Sequence, residues 1–280
     1  MSTATSSGAV LITGASTGIG LACVKRLAAS GVPVLAGARK PADLERLGAI
    51  DGVEPVSLDV TDPAAIEALR EHLVGTPLRG LVNNAGSAVP GPLEELALDE
   101  LRRQFEVNTF ACIAVAQAAL PALRSGRGRI VNIGSIGGRV GQPFTGPYCG
   151  SKAALRVMST SLRRELKPWG IWVTCIEPGT ISTEIWGKGA AASDEAIQAL
   201  TADGRARYGR QMERMGKVVG GQATAGLEPD AVAIRVQHAL FARRPRAFYT
   251  VGRDAHAMGT LQALLPTRAW DRLMDRFLGL

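Results

Sequence analysis

Cysteine and histidine are scarce in this sequence and are not arranged to bind a metal. No pair of cysteines has the C-x-x-C spacing of zinc and redox motifs, and each cysteine sits in an apolar pattern. We therefore predict free thiols of a reducing compartment at Cys23, Cys112, Cys149 and Cys175. The three histidines are scattered without partner spacing, so no metal site is predicted.

The sequence also lacks the features of a leader and of a membrane span. Its first ten residues, MSTATSSGAV, contain neither a basic segment nor a long apolar run, so no signal peptide is predicted. No uninterrupted apolar stretch is long enough to cross a bilayer. We therefore expect a cytoplasmic protein without a membrane span.

An excess of positive charge is present, but it does not indicate nucleic-acid binding. The net charge is +7, and much of the excess lies in two short groups, residues 205–210 and 243–246, without interleaved aromatic residues. Such groups usually form solvated helix faces, and otherwise they steer anionic substrates or cofactors. Because 46% of the residues are apolar and 20% are charged, the chain is able to bury a large core.

Short apolar runs alternate with helical patterns along the chain, without a linker-like segment. This alternation favours an α/β fold with one doubly wound parallel sheet, in a single domain spanning residues 1–280. Residues 93–125 are predicted to be helical, residues 184–225 to form an irregular substrate lid, and residues 253–280 to form a C-terminal helical extension. The predicted strands are residues 9–13, 33–37, 53–58, 78–83, 130–133, 171–176 and 247–251.

A glycine-rich turn, TGASTGIG at residues 13–20, joins the first predicted strand to the first helix. Glycines in such a turn let the backbone approach a phosphate closely, and the helix N-terminus then faces the anion. Glycines also serve plain tight turns. The position between a first strand and a first helix is what favours a dinucleotide site.

The second predicted strand ends without the acid that would accept from the ribose 2′-hydroxyl of NAD(H). Ala38 stands there, and Arg39 and Lys40 follow it. Their charge favours a 2′-phosphate and therefore NADP(H), with NAD(H) still possible. Arg39 is alternatively a plain loop residue over the adenine. Asp59, at the end of the third strand, is placed to contact an adenine amino group.

A phenol and an ammonium group share one face of a predicted helix. Tyr148 and Lys152 are four residues apart, and a neighbouring cation lowers the pKa of a phenol because it stabilises the phenolate. Ser135 precedes them at the end of a strand, where its hydroxyl is able to hold a substrate oxygen. Most such pairs belong to ordinary amphipathic helices, so the prediction of catalysis depends on the other motifs.

Further short motifs follow along the chain: NNAG at 83–86, Asn108 and PGTIST at 178–183. Together with TGASTGIG at 13–20, Asp59, Ser135, Tyr148 and Lys152, they resemble the motifs of the short-chain dehydrogenase/reductase family. The stretch from residue 138 to residue 184 is most similar to the branch that acts on hydroxysteroids, retinoids and related apolar alcohols.

The resemblance implies a Rossmann-type sheet of about seven strands and a role for each catalytic residue. Tyr148 would be the general acid/base, and Lys152 would lower its pKa and bind the nicotinamide ribose. Ser135 would orient the substrate oxygen, and Asn108 would hold a water that links Lys152 to solvent. The family is usually dimeric or tetrameric, so a homodimer or homotetramer is expected.

The resemblance also implies a set of cofactor-binding residues. Thr180 and Ile181 would hold the carboxamide end of the nicotinamide, and Thr183 would reach the phosphates. The full set is Thr13, Gly14, Ser16, Thr17, Gly18, Ile19, Gly20, Arg39, Asp59, Val60, Asn84, Ala85, Gly86, Tyr148, Lys152, Pro178, Gly179, Thr180, Ile181 and Thr183.

The resulting hypothesis is an NADP(H)-dependent oxidoreductase that interconverts a carbonyl and an alcohol on an apolar, steroid-, retinoid- or lipid-like substrate. An alternative enzyme is a 3-oxoacyl-carrier reductase, whose arginine-rich lid would meet an acidic carrier. An alternative of another class is a non-catalytic, dinucleotide-sensing regulator. Such regulators usually lose the tyrosine or the lysine, and both are present here.

Overall fold

Short runs of aliphatic residues form the strands, as their composition predicts. The computed structural model describes residues 8–183 and 194–278, with the backbone alone for residues 218–225 and 277–278. The strands, numbered β1 to β7 in chain order, are Ala9–Ile12, Val34–Ala38, Val53–Ser57, Leu78–Asn83, Arg129–Ile133, Trp172–Pro178 and Phe248–Val251.

All seven strands pair in parallel in one sheet with the order β3-β2-β1-β4-β5-β6-β7. The predicted doubly wound parallel sheet of about seven strands is therefore confirmed. The chain winds from β1 towards β3 and then crosses back to β4 on the other side of β1. In such sheets the crevice outside the carboxyl ends of the strands, at this switch in winding direction, is where ligands bind.

Helices cover both faces of the sheet. The longer helices, numbered α1 to α10, are Gly18–Ala29, Pro41–Gly48, Pro63–His72, Leu98–Phe105, Ala111–Gly126, Gly146–Glu165, Ala202–Ala225, Pro229–Phe241, Arg253–Leu264 and Thr267–Leu278. On one face, α1 and α8 bury Val24, Leu27, Val232 and Val236 against the sheet. On the other face, residues of α3 and α5 such as Leu69 do the same.

The helix predicted over residues 93–125 is interrupted and begins late. Residues 93–96 form a turn after Pro92, whose carbonyl accepts from the Glu95 N–H at 3.0 Å, and α4 begins at Leu98. A π-helical turn at Glu106–Phe110 then separates α4 from α5. A π-helical turn adds one residue without a marked change in composition, and such turns often occur at functional sites.

The lid was predicted to be irregular, and this prediction is wrong for its described part. Residues 194–199 are helical, and after a break at residues 200–201 α7 extends over 24 residues. Thr201 caps this helix by accepting from the Gly204 N–H at 2.9 Å. Met212 and Met215 are buried one turn apart, which is the apolar spacing that predicts a helix. Residues 184–193 of the predicted lid lie outside the described residues.

The C-terminal extension is helical as predicted and consists of α9 and α10. Met258 and Trp270 pack against Ile136, Val140 and Ala255 in a small cluster of their own. The extension therefore covers the segment that follows β5. Residues 279–280 lie outside the described part of the chain.

One helical run in the described residues is long and apolar enough to cross a membrane. It spans Leu98–Gly126, with a mean hydropathy of 1.3 over its most apolar window. More than half of that window, 56%, is buried inside the protein, and the core helix of a globular domain has the same composition. The run is therefore weak evidence for a span.

A buried network of amide and hydroxyl groups ties the central strands to the helices. The Asn83 side-chain amide donates to the Asn132 side chain at 2.9 Å and to the Cys112 carbonyl at 3.1 Å. The Asn132 amide donates in turn to the Ser159 hydroxyl at 2.8 Å. The network therefore joins β4, β5, α5 and α6 directly beneath the edge where ligands bind.

We predict that Asn132→Ala lowers the free energy of unfolding by about 1–3 kcal/mol, because one N–H of the buried Asn83 amide loses its partner and a buried group left unpaired costs about that much. Denaturant unfolding, with Ser159→Ala and the double variant, measures this loss. The combined loss should be smaller than the sum, since both substitutions remove the same hydrogen bond. Fully additive losses would contradict the prediction.

Candidate active site

The carboxyl ends of the strands open into one cavity of about 1500 Å³. Most of the site residues predicted from the sequence line it. They come from the ends of the strands, the loops that follow β1 to β6 and the first two turns of α1 and α6. They are Gly14, Ser16, Thr17, Gly18, Ile19, Arg39, Asp59, Val60, Asn84, Ala85, Gly86, Ser135, Tyr148, Lys152, Pro178, Gly179, Thr180, Ile181 and Thr183.

Two predicted residues, Thr13 and Gly20, lie behind the cavity wall and shape it. The Thr13 hydroxyl accepts from the N–H groups of Asn84 and Ala85, both at 3.0 Å. A Cβ atom at Gly20 would lie 2.2 Å from the Gly14 carbonyl oxygen, so a larger residue would displace the glycine-rich turn. Thr13 and Gly20 therefore hold the loop after β1 against the loop after β4.

Asn108 also lies behind the wall, buried in the π-helical turn. Its side chain accepts from the Ser87 N–H at 2.9 Å and donates to the Ser87 carbonyl at 3.0 Å and the Ser151 hydroxyl at 3.0 Å. A Cβ at Gly86 would lie 3.3 Å from the Asn108 oxygen and 3.6 Å from the Lys152 ammonium nitrogen. Asn108 thus fixes the loop that passes beside Lys152.

After the glycine-rich turn, α1 begins without a side-chain cap among the residues that the structure describes. Gly14 and Gly18 have φ angles of +61° and +52°, which glycine adopts readily. Thr17 precedes the helix and makes no capping hydrogen bond with its side chain. Unpaired N–H groups at a helix start, beside a cavity, suit an anionic phosphate. These residues fit the diphosphate of a dinucleotide.

A basic and an acidic side chain meet at the end of β2 and β3. The Arg39 guanidinium is 71% exposed and lies 3.7 Å from the Asp59 carboxylate. The Thr61 N–H donates to that carboxylate at 3.0 Å and the Thr61 hydroxyl at 2.7 Å. These bonds, the backbone bond first, lower the pKa of Asp59. Arg39 is thus held at the cavity edge by an ionised acid.

Lys40 lines this end of the cavity as its charge predicted, together with two charged residues that the sequence did not single out, Asp43 and Arg46. The Arg46 guanidinium donates to Asp43, and this bond together with one from the Ser16 hydroxyl lowers the pKa of the Asp43 carboxyl. An acid and a base three residues apart are typical of any solvated helix, so this spacing does not indicate a cofactor site.

Three of the four residues predicted to carry catalysis, Ser135, Tyr148 and Lys152, meet at one place in the cavity. The Ser135 hydroxyl accepts from the Gly137 N–H at 3.0 Å, and a Cβ at Gly137 would lie within 3.4 Å of both Ser135 and the Tyr148 ring. The Lys152 ammonium donates to the Ile133 carbonyl at 2.8 Å and lies 5.9 Å from the centre of the Tyr148 ring.

Burial opposes ionisation of both the Tyr148 phenol and the Lys152 ammonium. It raises the pKa of the Tyr148 phenol, while a hydrogen bond with Ser135 acts in the opposite direction. Burial also lowers the pKa of the Lys152 ammonium. The sequence predicted a lowered pKa for Tyr148, whereas in this structure burial raises it. A cation bound beside the ring is what would stabilise the phenolate.

Apolar side chains, most of them from the lid and the extension, form the remaining wall of the cavity. These contacts were not predicted from the sequence, because each depends on how distant helices pack. The signal that was available is the helical spacing of the apolar residues in α7 and α10. The wall consists of Met212 and Met215 of the lid, Met258, Leu261, Trp270, Leu273 and Met274 of the extension, and Phe144 of the loop before α6.

We predict that Tyr148→Phe stabilises the protein, relative to the wild type, only in alkaline solution. The phenol of the unfolded chain ionises near pH 10, whereas burial raises the pKa of folded Tyr148. The wild type therefore loses stability as the pH rises above about 10, and the phenylalanine variant lacks this part of the loss. Denaturant unfolding of both proteins between pH 7 and 11 measures the difference, and a difference independent of pH would contradict the prediction.

Curated relatives match nearly the whole chain. It is 34% identical over 270 residues to the uncharacterized oxidoreductase YbbO of Escherichia coli, covering 95% of this chain and 93% of the relative. It is 34% identical to the NADPH-dependent 3-dehydrocapnine reductase of Ornithobacterium rhinotracheale, covering 94% of each. Identity to retinol dehydrogenase 5 of Mus musculus is 35%, covering 95% of this chain and 87% of the relative.

A solved structure supports the same relationship. A short chain dehydrogenase from Burkholderia cenocepacia, in complex with NADP, aligns with a TM-score of 0.73 and 26% identity, covering 96% of this chain and 98% of that one. The family model described as short chain dehydrogenase matches residues 8–194. The chain therefore belongs to the short-chain dehydrogenase family of oxidoreductases, which use a nicotinamide cofactor to act on alcohol and carbonyl groups.

Proposed function

We propose that this oxidoreductase interconverts a carbonyl and an alcohol on an apolar substrate with NADP(H) as cofactor. The observation that carries the proposal is the meeting of Ser135, Tyr148 and Lys152 in a cavity that continues into an apolar wall. The polar half fits a dinucleotide, and the apolar half fits a large hydrophobic molecule.

The catalytic residues have separate roles in this proposal. The cofactor supplies or accepts the hydride when bound. Tyr148 donates a proton to the carbonyl oxygen in reduction and removes it in oxidation, and Ser135 holds that oxygen beside the phenol. Lys152 places a positive charge near the phenol and binds the nicotinamide ribose. Asn108 fixes the neighbouring loop and holds the water that links Lys152 to solvent.

A preference for NADP(H) is supported by charge at the end of β2. Ala38 offers no carboxylate to a ribose hydroxyl, while Arg39, Lys40 and Arg46 line the cavity edge. A guanidinium meets a phosphate with two parallel hydrogen bonds. The 3-dehydrocapnine reductase relative is named as NADPH-dependent, and the Burkholderia relative binds NADP.

An apolar substrate is supported by the cavity wall and by the relatives. Methionines are flexible and polarizable, so a wall rich in them adapts to large hydrophobic molecules. Relatives matched over most of this chain are named retinol dehydrogenase 5 and estradiol 17-beta-dehydrogenase 2. These names favour a steroid-, retinoid- or lipid-like substrate over a small polar one.

We keep the assignment of residues 184–225 as a substrate lid on a single domain that spans residues 1–280. Helix α7 contributes Met212 and Met215 to the cavity wall. The helix is tied to the body by Arg207, whose guanidinium donates to Glu94 at 2.7 Å and to Glu95 at 3.1 Å. The Arg207–Glu94 pair is exposed on both sides and contributes little to holding the lid. Glu95 is largely buried and also accepts from the Thr201 hydroxyl at 3.0 Å, so it is the stronger attachment of the lid to the body.

The alternative 3-oxoacyl-carrier reductase is less well supported, because Arg207 of the arginine-rich lid is paired within the protein. A panel of steroid, retinoid and aliphatic ketones with a 3-oxoacyl thioester, followed by NADPH absorbance, separates the two enzymes. A dinucleotide-sensing regulator would bind NADPH and turn over none of them. Cytoplasmic location and a homodimer or homotetramer stay predictions.

We predict that Tyr148→Phe lowers turnover by about 10²–10⁴-fold, the range for losing a general acid or base, while cofactor binding stays close to wild type. Steady-state kinetics on the best ketone of the panel, with NADPH titration, measures both. Tyr249→Phe is the matched control, since Tyr249 lies on β7 and its hydroxyl contacts His238. Unchanged turnover in Tyr148→Phe would remove the phenol from the mechanism.

We predict that Arg39→Ala lowers the preference for NADPH over NADH by about tenfold, the low end for hydrogen bonds to a charged group. The low end is expected because Arg39 is exposed and shared with Asp59. Adding Ala38→Asp should reverse the preference, since a carboxylate accepts from the hydroxyl and repels the phosphate.

The measurement is kcat/KM for both cofactors on one substrate, at low and high salt. Salt should weaken the wild-type preference, because the contact is near the surface. Arg70→Ala is the control, as Arg70 is an exposed arginine paired with Glu67 on α3, away from the cavity. A wild type that favours NADH would overturn the assignment of Arg39.

A further inference from the structure

A carboxylate of the C-terminal extension binds the backbone of the loop that follows β6. Asp254 lies in the first turn of α9, and its Oδ2 atom accepts from the Thr180 N–H at 2.7 Å. Both residues line the cavity. The two positions are 74 residues apart in the chain, so the bond is a tertiary contact between the extension and the loop after β6.

The surrounding backbone leaves room for this carboxylate. A Cβ atom at Gly179 would lie 2.3 Å from Oδ2 of Asp254, and one at Gly252 would lie 2.3 Å from Oδ1. Gly252 also has a φ angle of +110°, which side chains disfavour. Two glycines therefore flank the same acid, one on the loop and one on the turn before α9.

The backbone carbonyl of Thr180 is also paired. It accepts from the Leu227 N–H at 3.0 Å, and the Leu227 carbonyl accepts from the Ser182 N–H at 2.8 Å. Leu227 follows the lid helix α7. The loop is thus clamped between the extension and the segment that ends the lid, and Thr180 has both backbone groups paired.

We infer that Asp254 is a positioning residue for the nicotinamide end of the cofactor. It fixes Thr180, and through it the loop that the family resemblance assigns to the nicotinamide carboxamide. Helix α9, which carries Asp254, also contributes Met258 and Leu261 to the substrate wall. The same helix therefore sets the position of the substrate wall and that of the nicotinamide loop. This inference rests on the proposed function.

The first part of the test compares binding of two ligands to the ligand-free protein. NADPH spans the whole proposed cofactor site, whereas adenosine 2′,5′-bisphosphate fills only its adenosine end. Asp254→Ala should weaken NADPH binding about 10- to 100-fold, the loss expected for a hydrogen bond to a charged group. It should leave the affinity for adenosine 2′,5′-bisphosphate unchanged, because Arg39 and the glycine-rich turn are untouched.

Two further variants separate positioning from general stability. Asp254→Asn keeps an oxygen that accepts from Thr180, so it should recover most of the NADPH affinity. Asp230→Ala is the matched control, because Asp230 is also the second residue of a helix and pairs with Arg26 at 2.8 Å, outside the cavity. It should lower the melting temperature and leave both affinities unchanged.

The outcomes distinguish this inference from the proposed function. Wild type that fails to bind NADPH contradicts the proposed function itself. If wild type binds NADPH and Asp254→Ala binds it equally well, the positioning role is overturned alone. Equal losses for both ligands in Asp254→Ala would also overturn it, because they would indicate general damage to the site. In the supporting outcome, kcat also falls in Asp254→Ala at saturating NADPH.

Discussion

The hydrogen bond from the Lys152 ammonium to the Ile133 carbonyl fixes the geometry of the whole reaction centre. A buried cation is costly unless a partner satisfies it, and the carbonyl at the end of β5 is that partner. Tyr148 precedes Lys152 by one helical turn, and Ser135 follows Ile133 by two residues. One contact between a helix and a strand end therefore determines how phenol, hydroxyl and ammonium are spaced.

The cavity has two halves of different origin. Strand ends and their short loops form the polar half, and these are held by backbone geometry and by buried amides such as Asn83 and Asn132. Separate helices of the lid and the extension form the apolar half. The two halves are joined at α9, which carries Met258 and Leu261 of the apolar wall and also binds the loop after β6 through Asp254.

The sequence predicted the sheet and the polar half because both depend on local patterns. Strand β4 was predicted at the observed residues 78–83, and TGASTGIG directly follows a strand as expected. The π-helical turn around Asn108 was missed because it changes the hydrogen bonding and barely changes the composition. Asp254 was missed because its partner, Thr180, is distant in sequence and contributes only a backbone N–H group.

The carboxylate of Asp254 and the two glycines beside it also constrain how this protein family can diverge. A relative that replaces Asp254 by a small residue no longer needs Gly179 to be bare, whereas a relative that keeps the acid must keep that glycine. Gly252 has a φ angle of +110°, which favours glycine with or without the acid. We therefore expect positions 179 and 254 to vary together among homologues. Their identities in an aligned sequence would indicate whether the C-terminal helix of that relative contacts the loop after β6, as it does here.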